Sequence, residues 1–97
     1  MIVERMSIVA KPGRHQEVVK MLQDSWTWPG HQNITHRIYT TISGNYSAVS
    51  QEIEFEDDEA RNKYWAEFGT RPEVAQWHEK WSALINDNSR EHFRLVE

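Results

Sequence analysis

The chain has no cysteine. That excludes disulfide staples and thiol catalysis, and it fits a reducing, cytoplasmic setting. The opening MIVERMSIVA holds no apolar run long enough for a signal peptide or a membrane span, so no membrane partner is expected. Positive charge is also short: 11 Lys and Arg stand against 15 Asp and Glu, a net charge of −4. A protein that binds nucleic acid by neutralising phosphates usually carries a basic excess, so nucleic acid is not an expected partner. Glycines are few, at 13, 30, 44 and 69, and each stands alone at a turn or cap position. No Gly-rich phosphate loop can be built from them. Nothing repeats, and no tract is of low complexity.

What is present is a set of large rings. There are five tryptophans in 97 residues, a length that makes one domain, residues 1–97. Such a domain buries roughly 60–65% of its unfolded surface. Each buried aromatic removes about 150–250 Å² from water, so a few tryptophans supply much of a small core. The rings concentrate in YWAEFGTRPEVAQWHEKW, residues 64–81.

Periodicity gives the order of elements. Ile2 to Ala10 reads as a strand, broken by Lys11-Pro12-Gly13. Residues 14–26 have helical spacing, with His15, Val18, Val19, Leu22 and Trp26 on one stripe and Trp28-Pro29-Gly30 as the stop. Ile34 to Ile42 and Tyr46 to Glu56 alternate as strands about a Ser43-Gly44-Asn45 turn. Asp57 is a good N-cap for a second helix that Gly69 ends. Thr70-Arg71-Pro72-Glu73 has the spacing of a capping box for a third helix from Pro72 to about Ile85. Asn86-Asp87-Asn88 then predicts a stop, and Glu91 to Val96 a last strand. The result is α+β: a ferredoxin-like split βαββαβ sheet with helices on one face.

Alternation assigns the two faces. Ile2, Met6, Ile8, Ile34, Ile38, Ile42, Val49, Ile53, Phe55, Phe93 and Leu95 are expected to meet the helices. The other face takes Val3, Arg5, Ser7, Val9, Arg37, Tyr39, Thr41, Glu52, Glu54, His92, Arg94 and Val96. This mixed face can remain in solvent. It can also pair with a second copy, its Arg and Glu residues joining across the interface while Val and Tyr supply area. In the third helix Val74, Trp77, His78, Trp81, Leu84 and Ile85 form one stripe, and Tyr64 and Phe68 a shorter one before it. Most such rings are core. The functional alternative is an aromatic cleft walled by Trp65, Trp77 and Trp81, with His78 inside as a candidate acid or base.

Other chemistry has little support in the residues. His31 and His36 with Glu52 or Glu54 can be drawn as a metal site, but two His without a placed third ligand are weak evidence. No Ser-His-Asp set has a Gly-x-Ser-x-Gly context. The third strand is acidic and lacks the Lys/Arg-Gly-Phe/Tyr motif of RNA-recognition domains.

VERMSIVAKPGRHQEVVKML, RIYTTISGNYSAVSQEIEFEDDEA and EHFRLVE together resemble dimeric α/β-barrel domains over nearly the whole chain. The likeness is to small NIPSNAP-like members, and more distantly to antibiotic-biosynthesis-type monooxygenases. It implies that two protomers join their sheets in a barrel, hence a homodimer through the sheet face. Haem-degrading relatives use an Asn on the first strand; here Met6 or Ser7 stands at mid-strand and no Asn is present. Mutarotases of similar fold pair His with Tyr, but His36 and Tyr39 fall on opposite faces. Two functions follow as expectations, both without a cofactor or metal. One is a small-molecule-binding or assembly module that takes a small apolar or aromatic ligand. The other is a cofactor-independent monooxygenase or isomerase, which requires an open cleft of a few hundred Å³ beside His78. If the site lies in the barrel lumen instead, Arg37 and Tyr39 are its candidates.

Overall fold

A computed structural model describes residues 1–31 and 33–96. The elements are β1 (Ile2–Ala10), α1 (His15–Ser25), β2 (His36–Thr40), β3 (Ala48–Phe55), α2 (Asp58–Gly69), α3 (Pro72–Leu84) and β4 (Ile85–Arg94). The strands form one antiparallel sheet in the order β2-β3-β1-β4. This is the expected split βαβ arrangement. The shortest dimension is 19 Å, room for the sheet and one layer of helices of about 10–12 Å.

Local chemistry explains most boundaries. Gly13 takes a φ of +77°, which lets the chain turn from β1 into α1. Helix α1 buries Val18, Met21, Leu22 and Ser25 on one side, the spacing of an amphipathic helix. The Asp57 carboxylate accepts the Ala60 N–H at 2.8 Å, capping α2. The core divides in two along the sheet. Met6, Ile8, Val18, Leu22, Val49 and Trp81 pack at one end. Ile2, Trp26, Ile53, Phe55 and Tyr64 pack at the other.

Four expectations are corrected. The capping box does not form: Thr70 caps the end of α2, and its hydroxyl donates to the Glu67 carbonyl at 2.8 Å. Arg71 is the N-cap of α3 and makes no side-chain cap bond. The last strand starts at Ile85 rather than Glu91, because Asp87 and Asn88 pair with Val9 and Ile8. The ladder along β1 outweighs the turn preference of Asn86-Asp87-Asn88. Finally, β4 has the opposite facing from that expected. His92 pairs with Glu4 and Phe93 with Val3, so His92 and Arg94 turn to the helix side and Phe93 to the open side. A one-residue offset inverts every side chain of a strand. Since β4 is an edge strand with all residues after Ile85 exposed, its helix-side row need not be apolar, and hydrophobic alternation there is no guide. Ile42 likewise lies beyond β2 and is 90% exposed.

Candidate functional site

Direct pairing across the sheet sets two rows on its helix side. One runs Ile38–Gln51–Met6–Arg90 and the next His36–Ile53–Glu4–His92. Above the first row lies a cavity of about 100 Å³. Met6 and Gln51 form its floor. Tyr64, Trp65 and Phe68 of α2 and Trp77, His78 and Trp81 of α3 form its walls, with Asn88 and Arg90 on the β4 side. The walls are packed as much as hollow. Trp77 stacks on Trp81 at 4.9 Å, Trp65 meets Tyr64 edge-on at 4.8 Å, and Phe68 meets Trp65 edge-on at 5.3 Å. Offset and edge-to-face contacts of this kind hold a wall in place. The rings of residues 64–81 are therefore both core and pocket wall.

Two buried residues, Gln51 and Tyr64, bring polar groups to the cavity lining. Gln51 is 4% exposed, and its carboxamide oxygen accepts the Trp26 indole N–H at 2.8 Å. An indole nitrogen only donates, so the oxygen must face Trp26 and the amide NH₂ is left over. That NH₂ has no partner among the described residues and lines the cavity. Tyr64 is buried, and its hydroxyl also has no partner there. Burial, helped by the charge of Glu4, pushes the Tyr64 hydroxyl far above the usual range, so it stays a protonated donor. Arg90 lays its guanidinium over the Trp65 ring, 4.2 Å from the centroid, a cation–π contact.

Sequence reading overlooked the group behind Trp65. Glu4 is 1% exposed. The Trp65 indole N–H donates to both its oxygens, at 3.2 and 3.0 Å, and His92 Nε2 lies 2.8 Å from Oε1. Glu4 thus fixes the orientation of the Trp65 wall. A signal existed: Glu4 falls in phase with Ile2, Met6 and Ile8. Gln51, in phase with Val49 and Ile53, gave a similar one.

The structure gathers Trp65, Trp77, Trp81 and His78 round the cavity as expected. His78 is exposed at the rim and makes no hydrogen bond among the described residues. Arg37 and Tyr39 lie across the sheet from it. Arg37 pairs with Glu54 at 2.9 Å, and the Tyr39 hydroxyl donates to Glu52 at 3.1 Å. Hydrogen bonding by Arg5 holds the Glu52 carboxyl below its ordinary range. The metal site drawn from His31, His36 and Glu52 or Glu54 is overturned. His36 stacks on Trp26 at 3.9 Å on the helix side, while both Glu side chains hydrogen-bond Arg5, Arg37 and Tyr39 on the other. No group of three metal-ligating residues occurs among the described residues.

His31 gives a prediction. It sits among Trp26, Trp28, Tyr64 and Phe68, and its Nδ1–H donates to the Ser25 carbonyl at 2.9 Å. Burial lowers its pKa from 6.5, opposed by the Ser25 bond and assisted by Arg71. A depressed folded pKa means that, below about pH 6.5, the unfolded chain takes up a proton the folded chain resists. Stability should therefore fall as pH drops from 6.5 through the folded pKa. Urea unfolding at pH 7 and 5 should show a smaller drop for His31→Phe than for the parent; equal drops would refute the assignment.

Neither a protein-family model nor a curated protein sequence matches the chain. Solved structures do. An uncharacterised NIPSNAP domain protein from Burkholderia xenovorans superposes with a TM-score of 0.84 at 18% identity, over 99% of this chain and 95% of that one. The chain has the NIPSNAP fold. A NIPSNAP family protein from Agrobacterium tumefaciens gives 0.84 at 17% identity, over 99% and 86%. A proposed antibiotic biosynthesis monooxygenase from Deinococcus radiodurans gives 0.71 at 13% identity, over 100% and 94%. The fold is thus common to chains that share little sequence. No helix of the described residues is long and apolar enough to cross a membrane.

Proposed function

We propose that the chain is a small-molecule-binding protein whose site is the aromatic cleft between sheet and helices. The observation that carries this is the pair of donors, Tyr64 hydroxyl and Gln51 amide, which belong to buried residues, have no hydrogen-bond partner among the described residues and open on one cavity. Such groups persist where a water or ligand completes them. The cavity of about 100 Å³ suits a compact body; it is smaller than the few hundred Å³ typical of sites for drug-sized ligands. A catalytic role for His78, as in a cofactor-independent monooxygenase or isomerase, has less support, because no carboxylate among the described residues hydrogen-bonds its ring. The test is titration with benzamide and butyramide, neutral carbonyl compounds, followed through the five indole N–H resonances. Shifts at Trp65, Trp77 and Trp81 are expected. Silence from every indole at ~10 mM of either compound, a weak-fragment threshold, would sink the reading.

The open sheet face is proposed as a homodimer surface. It carries a row Arg37–Glu52–Arg5–Glu91 of alternating charge, with Arg5 and Glu52 joined at 2.7 Å. Tyr39 and Phe93 stand beside this row, 46% and 40% exposed. Rows of alternating sign are self-complementary when a two-fold axis sets one against another. Light scattering on a sizing column should give twice the 11.5 kDa of the chain, and Phe93→Glu should halve it. A monomer at every concentration would return this face to solvent.

A further inference from the structure

Three donors serve the cleft, the Gln51 amide, the Tyr64 hydroxyl and the Arg90 guanidinium, and Ser25, His78 and Asn88 complete its polar lining. The Gln51 oxygen is occupied by Trp26, which leaves the NH₂. The Tyr64 hydroxyl is held protonated, and its own hydrogen has no acceptor among the described residues. Arg90 adds a full positive charge at the β4 side. Its guanidinium rests on Trp65 and makes no salt bridge among the described residues. None of the residues lining the cavity is Asp or Glu. Glu4 does not line it, and both its oxygens are engaged by Trp65 and one also by His92. In a chain of net charge −4, this is a local reversal of sign beside an apolar hollow.

Reach agrees with this. Gln51 and Arg90 lie in one row with Met6 between them, so their backbones are about 10 Å apart, two strand spacings. The Arg90 side chain, lying over Trp65, extends along the wall of the same cleft. A guanidinium without a carboxylate partner among the described residues, two further donors and no acidic residue in the lining make a site for an oxygen anion. Arginine is suited to a carboxylate because its planar fork matches the two oxygens.

Resting on the reading of the cleft as a binding site, we infer that it selects small carboxylates: short-chain or single-ring acids whose apolar body lies among the tryptophans and whose carboxylate is held by Arg90. The hollow limits the body. An apolar cavity of about 150 Å³ admits benzene. At about 100 Å³, a four-carbon chain fits inside, and a single ring fits with its polar end at the mouth.

The experiment compares butyrate and benzoate with butyramide and benzamide, by the same indole resonances, in the parent chain and in Arg90→Gln. Arg90 is exposed, so this change leaves the core intact. Each acid is expected to bind at least tenfold tighter than its amide. That preference should shrink in 0.5 M salt and vanish in Arg90→Gln, the acids losing far more affinity than the amides. Gln51→Leu should weaken acids and amides alike. Acids and amides binding equally, or a preference that survives Arg90→Gln, overturns the carboxylate assignment and leaves the binding cleft standing. Binding of none of the four compounds overturns both.

Discussion

Trp26→Ala is expected to lower the unfolding free energy by about 3–5 kcal/mol, the range for a buried tryptophan truncated to alanine. For a domain of this size that is a fall in Tm of roughly 15–30 °C. Trp26 touches more of the interior than its position at the end of a helix suggests. It is 7% exposed, lies flat on His36 at 3.9 Å and stacks with Tyr64 at 5.9 Å. Its N–H also fixes Gln51. Truncation removes the ring and leaves the Gln51 oxygen buried without a donor. Trp26→Phe separates the two effects. It keeps a stacked ring, costs about 1–2 kcal/mol for the lost bond, and frees the Gln51 amide to turn over. Ligand binding in the cleft should then weaken beyond what the loss of stability accounts for. Urea unfolding and the benzamide titration check both parts. A Trp26→Ala protein within 1 kcal/mol of the parent, the scale of an ordinary surface change, would show that the stack is ornamental.

The order of elements was legible because short-range chemistry decides it. The Lys11-Pro12-Gly13 break, the Asp57 cap, and the alternation of Val49, Gln51, Ile53 and Phe55 each act within a few residues, and each appears where expected. The tryptophan stripe of α3 was legible for the same reason. β4 was not. Its inward row of Asn88, Arg90 and His92 is polar, and an edge strand gains its place from backbone pairing, which sequence pattern does not record. The site was half visible. Its walls are rings and can be read from helical spacing. Its donors cannot, since a Gln or Tyr becomes an unpaired donor only through what its neighbour has already taken. Gln51 is defined by Trp26, 25 residues away. Glu4 is defined by Trp65, 61 away, and His92, 88 away. Contacts at such separation have no local signature.

Glu4 yields the other large effect, and it has a sign that discriminates. A carboxylate removed from water is tolerated only while donors surround it. Here Trp65 and His92 are those donors. Trp65→Phe removes the bond to both oxygens, worth about 1.5–3 kcal/mol for a charged acceptor. Adding His92→Ala strands the charge, and the pair together should cost about 3–5 kcal/mol. The third change reverses direction. In the parent, Glu4→Leu leaves the Trp65 N–H and His92 unpartnered and should destabilise by about 1–3 kcal/mol. In the Trp65→Phe/His92→Ala background no donor remains to be orphaned, and the same substitution should stabilise, because a buried charge gives way to an apolar side chain of similar size. Urea midpoints of the variants measure this. If Glu4→Leu destabilises both backgrounds equally, then Glu4 holds the strand by something other than these two partners. A change of sign would instead show that Trp65 is positioned by a buried charge whose only purpose in the fold is to keep that wall of the cleft upright.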